Sequence, residues 1–154
     1  QNLYRWLVLD LGDFLDEFTI RALELADQVL LVTLLTIPGL RDAQKVLETL
    51  KLLDFNPEKI QPVANSYSKN ADIQLSEAEK FLGREFLSVL RFDHEAVVRS
   101  INEGRPLVET QPRHRLSGDF SSLVLKLQRD GGENGHRPGF LGTLKRLLHL
   151  GDKS

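Results

Sequence analysis

The chain of 154 residues contains no cysteine, so a disulfide framework, a thiolate zinc site, an iron-sulfur cluster and a cysteine nucleophile are all excluded. This fits a reducing compartment, and the cytoplasm is the expected location. Methionine is absent as well and the first residue is Gln1, so the expectation is that sequence upstream has been left out. Residues Gln1 to Arg5 show no basic region followed by an apolar core, as a signal peptide would. Long apolar runs are also missing: charges interrupt every hydrophobic stretch well short of the roughly 20 residues that a bilayer-spanning helix needs. An excess of one charge is lacking too. Lys+Arg total 20 against 22 Asp+Glu, a formal net charge of -2, which gives no global field to hold a polyanion, and a nucleic-acid partner is not expected.

What is present is alternation. Trp6-Leu7-Val8-Leu9 is a continuous apolar run ending in Asp10 and reads as a strand buried on both faces. Phe18, Ala22, Leu25 and Ala26 follow at helical spacing, and Val29 to Leu34 gives a second continuous run. Pro38 precedes Leu40, Ala43, Val46, Leu47 and Leu50, which predicts a helix over about 39 to 53. A third strand is expected over Ile60 to Asn65, with Pro62 better suited to an edge or a strand start than to the middle of a sheet. Ser76 and Glu79 have capping-box spacing for a helix over 76 to 82, ended by Gly83. A fourth strand is expected over Phe86 to Phe92, then a helix capped by Asp93 and ended by Gly104, and a last helix over about 117 to 128. Strands alternating with helices predict an α/β fold, a three-layer parallel sheet with flanking helices.

After Gln128 the composition turns to Gly, Asn, Arg and Pro, so the expected organisation is a domain over 1–128, a linker over 129–138 and an amphipathic helix over 139–151.

Asp10, followed by Leu11-Gly12-Asp13, stands where a strand would end, the place where ligands bind in open α/β sheets. Two roles compete for these carboxylates. Asp10 can act as a Walker-B-type aspartate holding Mg2+ through water, with Asp13 beside it, or the two can accept backbone hydrogen bonds in the turn and cap the next helix. No stretch matches G-x-x-x-x-G-K-[ST], G-x-S-x-G or H-E-x-x-H. His94, His114, His136 and His149 stand singly and read as surface or capping residues.

Taken in order, Asp10-Leu11-Gly12-Asp13, the segment Asp16 to Asp27, Val29 to Thr33, Ile37-Pro38-Gly39-Leu40-Arg41-Asp42-Ala43, Val63-Ala64-Asn65, Asp93 to Val97 and Asn102 to Pro106 form a familiar set. The set resembles the MinD/ParA family of deviant-Walker P-loop ATPases, and most of all its CpaE/TadZ branch, the localisation ATPases of Flp (tad) pilus assembly. The resemblance covers about residues 3 to 128. It implies part of a P-loop NTPase fold, the C-terminal half of the ATPase domain, with the lysine-rich phosphate loop outside this chain. It further implies ATP and Mg2+ as cofactors, Asp10 as the Walker B residue, Leu11 to Asp16 as the loop that senses the third phosphate, and Asn65 reading the adenine edge. Arg91 to Asp93 would flank the base, so Arg91 and Asp93 join Asn65 as cofactor-binding candidates. Gly12 stands where many relatives have proline, and Arg91 where the pattern Ile-Pro-x-Asp has proline. The implied partners are a second copy in a homodimer, pilus-assembly or secretion proteins, and an anionic membrane surface at the inner face of the cell membrane. The implied function is an ATP-dependent localisation switch; a non-catalytic scaffold of the same fold is the alternative.

At about 100° per residue, Phe140, Leu141, Leu144, Leu147 and Leu148 of the tail share one face of roughly 120°, with Lys145, Arg146 and His149 opposite. Five apolar groups gain at most about 1.5–3 kcal/mol each, and ordering some eleven residues at about 1.5 kcal/mol each nearly cancels that. One tail therefore binds anionic lipid weakly, and two on a dimer bind better through effective concentration. Co-sedimentation with anionic vesicles should pellet the intact chain more than one truncated after Gln128 or one carrying Leu144→Glu; equal pelleting of all three would end the membrane reading.

Overall fold

The computed structural model describes residues 6–130; the expected linker from Gly131 onward and the expected helix over 139–151 lie outside the described residues. The described residues fall into two compact units, 6–27 and 28–130.

In the first unit, Trp6 to Asp10 form no strand, contrary to the expectation from their apolar run. A strand buried on both faces needs a hydrogen-bonded neighbour and cover on each side. Residues 6–10 enter no ladder, and Leu7 and Val8 are 70% and 85% exposed. Helix α1 (Glu17–Leu25) follows, opened by Asp16, whose carboxylate accepts the Thr19 N–H at 2.7 Å.

The second unit is a three-layer α/β arrangement. Strands β1 (Val29–Leu34), β2 (Ile60–Tyr67) and β3 (Ser88–Arg91) form a parallel sheet in that order. Pro62 therefore lies in the central strand, where the sequence argued against it. A strand residue presents its N–H and C=O to the same neighbour, and the Pro62 carbonyl accepts from Leu87 N at 2.8 Å, on the β3 side. The β3 ladder begins only at the Val63–Ser88 pair, so the missing N–H breaks no ladder bond.

The register separates two faces. On one, Ala64 and Val89 pack with Leu40 and Ala43 of α2 (Ile37–Leu52) and with Ala78 and Leu82 of α3 (Leu75–Leu82). On the other, Val63 and Leu90 pack with Ala96 of α4 (His94–Glu103), Leu107 of α5 (Leu107–Thr110) and Leu116 of α6 (Arg115–Asp130). On this second face Leu30, Val32 and Leu34 of β1 stay exposed, Val32 by 54%. The continuous apolar run of β1 is thus buried on one face only among the described residues.

Helix ends follow local chemistry, with one shift. The reciprocal cap of α3 is made by Gln74 and Glu77, whose carboxylate accepts the Gln74 N–H at 3.0 Å; Glu79 instead accepts the Phe86 N–H at 3.1 Å. Ser76 lies inside the helix, because the apolar Leu75 already belongs to its first turn. Gly83 and Gly104 end α3 and α4 with φ of 66° and 62°, where a side chain would be strained. Helix α6 runs past the expected end at Gln128 to Asp130, and α5 has no counterpart in the sequence reading. No helix among the described residues is long and apolar enough to cross a membrane.

Two glycines should respond oppositely to alanine. A Cβ on Gly39 would stand 2.7 Å from the Leu34 carbonyl oxygen, so Gly39→Ala should destabilise by about 1–3 kcal/mol despite alanine's better helix propensity. Gly118, inside α6, faces open space, and Gly118→Ala should stabilise by about 0.5–1 kcal/mol. Urea denaturation measures both, and the same sign for the two would contradict this packing.

Candidate functional site

Parallel strands bring their carboxyl ends to one edge of the sheet, the usual place for a ligand in such folds. At that edge β2 ends in Asn65-Ser66-Tyr67 and β3 leads through Arg91 and Phe92 to Asp93. Asn65 and Arg91, predicted from separate parts of the sequence, thus lie on neighbouring strands at one edge, with Asp93 two residues beyond Arg91 at the start of α4.

Asn65 is half-buried and pairs in register with Leu34 of β1. Its Oδ1 accepts the Ser66 N–H at 2.8 Å, and Ser66 has a left-handed φ of 53°. For a residue with a Cβ that conformation is strained, and such strain concentrates at ligand sites. It coincides with a register shift against β3 between Ala64 and Tyr67. An asparagine amide can pair with adenine through one acceptor and one donor. The second lone pair of Oδ1 and the amide N–H groups remain for that purpose, so Asn65 fits an adenine edge.

Arg91 is committed elsewhere. Its Nε and Nη2 donate to Asp119 Oδ2 and Oδ1 of α6 at 2.6 and 2.7 Å, and its main-chain N–H donates to Oδ2 at 3.1 Å. Burial alone would raise the Asp119 carboxyl, but the hydrogen bonds and charge of Arg91 outweigh it and hold the group below the usual carboxylate range. The same hydrogen bonds push Arg91 up. Asp93 caps α4 by accepting the Ala96 N–H at 3.0 Å, and its Oδ2 lies 3.2 Å from His114 Nε2. His114 Nδ1 accepts the Leu116 N–H at 3.2 Å, so a neutral ring protonated on Nε2 satisfies both contacts. Of the two roles the sequence left open, surface or capping, His114 takes the capping one at the start of α6. Its link to Asp93, the Asp119 contact and the strained Ser66 were not legible, because each joins segments that no local pattern connects.

The metal-side candidates lie in the other unit. Asp10 is exposed, its Oδ1 accepts the Gly12 N–H at a long 3.4 Å, and Gly12 takes φ of 69° in the turn. Asp13 is exposed, and Asp16, not Asp13, caps α1. Hydrogen bonds from the Thr19 backbone and hydroxyl hold the Asp16 carboxyl below its usual range. Among the described residues no three His, Cys, Asp or Glu cluster for a metal ion; Mg2+, which keeps several waters and takes one or two carboxylates, does not require such a cluster. The membrane candidates Phe140 to Leu148 lie outside the described residues.

No protein-family model matches the chain. The septum site-determining protein MinD of Thermotoga maritima is 27% identical over 111 residues, 69% of this chain and 40% of that protein. Among solved structures, a ParA family ATPase from Chlorobium tepidum matches with a TM-score of 0.64 and 24% identity, over 73% of this chain and 45% of that one. The cell division ATPase MinD of Pyrococcus furiosus gives 0.58 and 28%, over 68% and 43%. MinD complexed with Mg-ADP from Pyrococcus horikoshii gives 0.60 and 25%, over 70% and 43%. The fold is that of ParA and MinD P-loop NTPases. Homology to MinD together with this structural match supports a place for the chain in the MinD/ParA family, of which it spans about two fifths of the length of the curated relative.

The lowered Asp119 carboxyl sets a pH dependence. It stays charged to lower pH folded than unfolded, so its contribution is present above its unfolded value near pH 4 and is lost as pH falls through the lower folded value. Asp119→Asn should cost about 1–2 kcal/mol at neutral pH and flatten the stability curve below about pH 4. Urea midpoints between pH 2.5 and 7 test this; an unchanged acid limb would mean the pair contributes nothing.

Proposed function

We propose that the chain is the base-side and Walker B portion of a MinD/ParA-type ATPase, a nucleotide-dependent dimeric switch that positions pilus-assembly or secretion machinery at the inner face of the cell membrane. The observation that carries the nucleotide reading is Asn65: a half-buried amide at the carboxyl end of the central strand, beside a strained residue, in a fold shared with ParA and MinD ATPases. The Mg-ADP held by the Pyrococcus horikoshii structure fits the expectation of a magnesium nucleotide. The pilus role rests on the resemblance of residues 16 to 27 to the CpaE/TadZ pattern.

In this reading Asn65 reads the adenine edge, the turn Arg91 to Asp93 flanks the base, and Asp10 with Asp13 serves the magnesium side. Mg-ATP supplies the phosphate charge whose presence or absence distinguishes the two states of the switch. The phosphates contribute most of the electrostatic anchoring, and no phosphate-loop motif occurs in this sequence.

Titration calorimetry should accordingly find no micromolar binding of Mg-ATP to these 154 residues alone. In the full-length protein, Asn65→Ala should weaken ATP about tenfold, and Asp10→Asn should keep affinity within about tenfold while impairing magnesium-dependent turnover or ATP-dependent dimerisation. Unchanged turnover and assembly in Asp10→Asn would leave Asp10 as a turn residue, and tight binding by the isolated chain would overturn the division of labour.

A further inference from the structure

The turn that leaves β3 is tied down by a residue far away in sequence. Asp119, whose side chain is 11% exposed, uses both carboxylate oxygens on Arg91 and takes three donors from that residue. One of the three is the main-chain N–H. An ion pair that merely decorated the surface would fix two side chains; this one fixes backbone, at the position where β3 ends.

The next donor along, Phe92 N–H, bonds to the Tyr67 carbonyl at 2.8 Å, and Tyr67 pairs with Arg91 across the register shift. Tyr67 follows Ser66, which has a left-handed φ of 53° and whose N–H donates to Asn65 Oδ1 at 2.8 Å. One hydrogen-bonded path therefore runs from Asp119 through Arg91 and Phe92 to Tyr67, and along the chain to the amide of Asn65. His114 holds the same turn from the start of α6, through Asp93.

We infer that Asp119 is a positioning residue for base recognition: by holding the Arg91 backbone and guanidinium it fixes the β2 end, and so the orientation in which the Asn65 amide discriminates adenine from guanine. This rests on the reading of Asn65 given under the proposed function. Discrimination is the property at stake because an asparagine amide matches the adjacent donor and acceptor of adenine, whereas the guanine O6 acceptor opposes its oxygen. An amide turned out of place loses selectivity for the base while contacts to the phosphates are untouched. Since Asp119 grips the main chain as well as the guanidinium, removing Asp119 harms more than removing the Arg91 side chain, an asymmetry that a plain ion pair lacks.

The experiment uses the full-length protein and measures magnesium-dependent affinities for ATP, GTP and inorganic tripolyphosphate, with thermal melting alongside. The expected result for Asp119→Ala, which removes both acceptor oxygens, is an ATP-to-GTP preference reduced about tenfold, with tripolyphosphate affinity unchanged. Arg91→Ala should reduce the preference less, because Asp119 still accepts the main-chain N–H. Should Asp119→Ala fail to fold, Arg91→Lys keeps the charge but loses the fork, and should reduce the preference by a few fold. If Asn65→Ala abolishes the preference while Asp119→Ala and Arg91→Lys lower only the melting temperature, the positioning role is overturned and the base reading survives. If the wild type shows no preference, or Asn65→Ala leaves it unchanged, the base reading itself fails and the positioning role with it.

Discussion

Strand β2 carries both ladders of the sheet. It pairs with β1 on one edge and β3 on the other, and both hydrophobic clusters of the second unit meet on it, one at Ala64 and one at Val63. Ala64 is fully buried and Val63 is 1% exposed. Small and β-branched residues suit this position: Ala64 lets Leu40, Ala43 and Ala78 approach one face, while Val63 fills space beneath α5 and α6 on the other. Because both ladders are parallel, the carboxyl ends of all three strands lie together at one edge, the usual place for a ligand in such folds.

Helix α6 then sets the geometry of the edge. It is held at both ends of β3: Lys126 Nζ donates to the Leu87 carbonyl at 2.5 Å near the strand's start, and Asp119 binds Arg91 at its end. The Lys126 contact is exposed and worth little by itself, and the Asp119 pair contributes about 1–2 kcal/mol. The burial of Leu116 and Leu123 against Val63 and Leu90 supplies the larger stabilisation, at roughly 25 cal/mol per Å2 of apolar area. The polar contacts fix register more than they add stability: apolar packing tolerates sliding along the strand, and a fork with two fixed oxygens does not. Ser117 adds to this at the α5 junction, where its buried hydroxyl donates to the Gln111 carbonyl at 2.7 Å.

What was legible in the sequence follows the same division. Elements with local signals were readable: the spacing of Leu40, Ala43, Val46, Leu47 and Leu50 for α2, the Asp93 cap, and the glycines that end α3 and α4. Pro62 misled because the rule against proline inside a sheet concerns a lost donor, and which neighbour that donor would face depends on where β3 starts, a nonlocal fact. The α3 cap was displaced because Gln74 and Glu77 offer the same spacing as Ser76 and Glu79, and Leu75 settles the choice by joining the core edge. Of the candidate site, Asn65 and the turn at Arg91 to Asp93 are what the resemblance proposes, whereas the Asp119 contact to Arg91 has no local signal, since the two lie 28 residues apart.

Two apolar stretches share one property. Trp6 to Leu9 and Val29 to Leu34 both read as runs of the kind found in parallel strands covered on two faces. Among the described residues neither is so covered: the first enters no ladder, and the second buries one face and leaves Leu30, Val32 and Leu34 open along an unpaired edge. Edge strands that stand free in water carry charges, prolines or bulges that discourage further pairing, and β1 has none of these among its six residues. The apolar composition of both segments is thus in excess of what the described packing requires, and it is the composition of strands in the interior of a sheet. The chain spans about two fifths of the length of the curated relative and less than half of each matched structure.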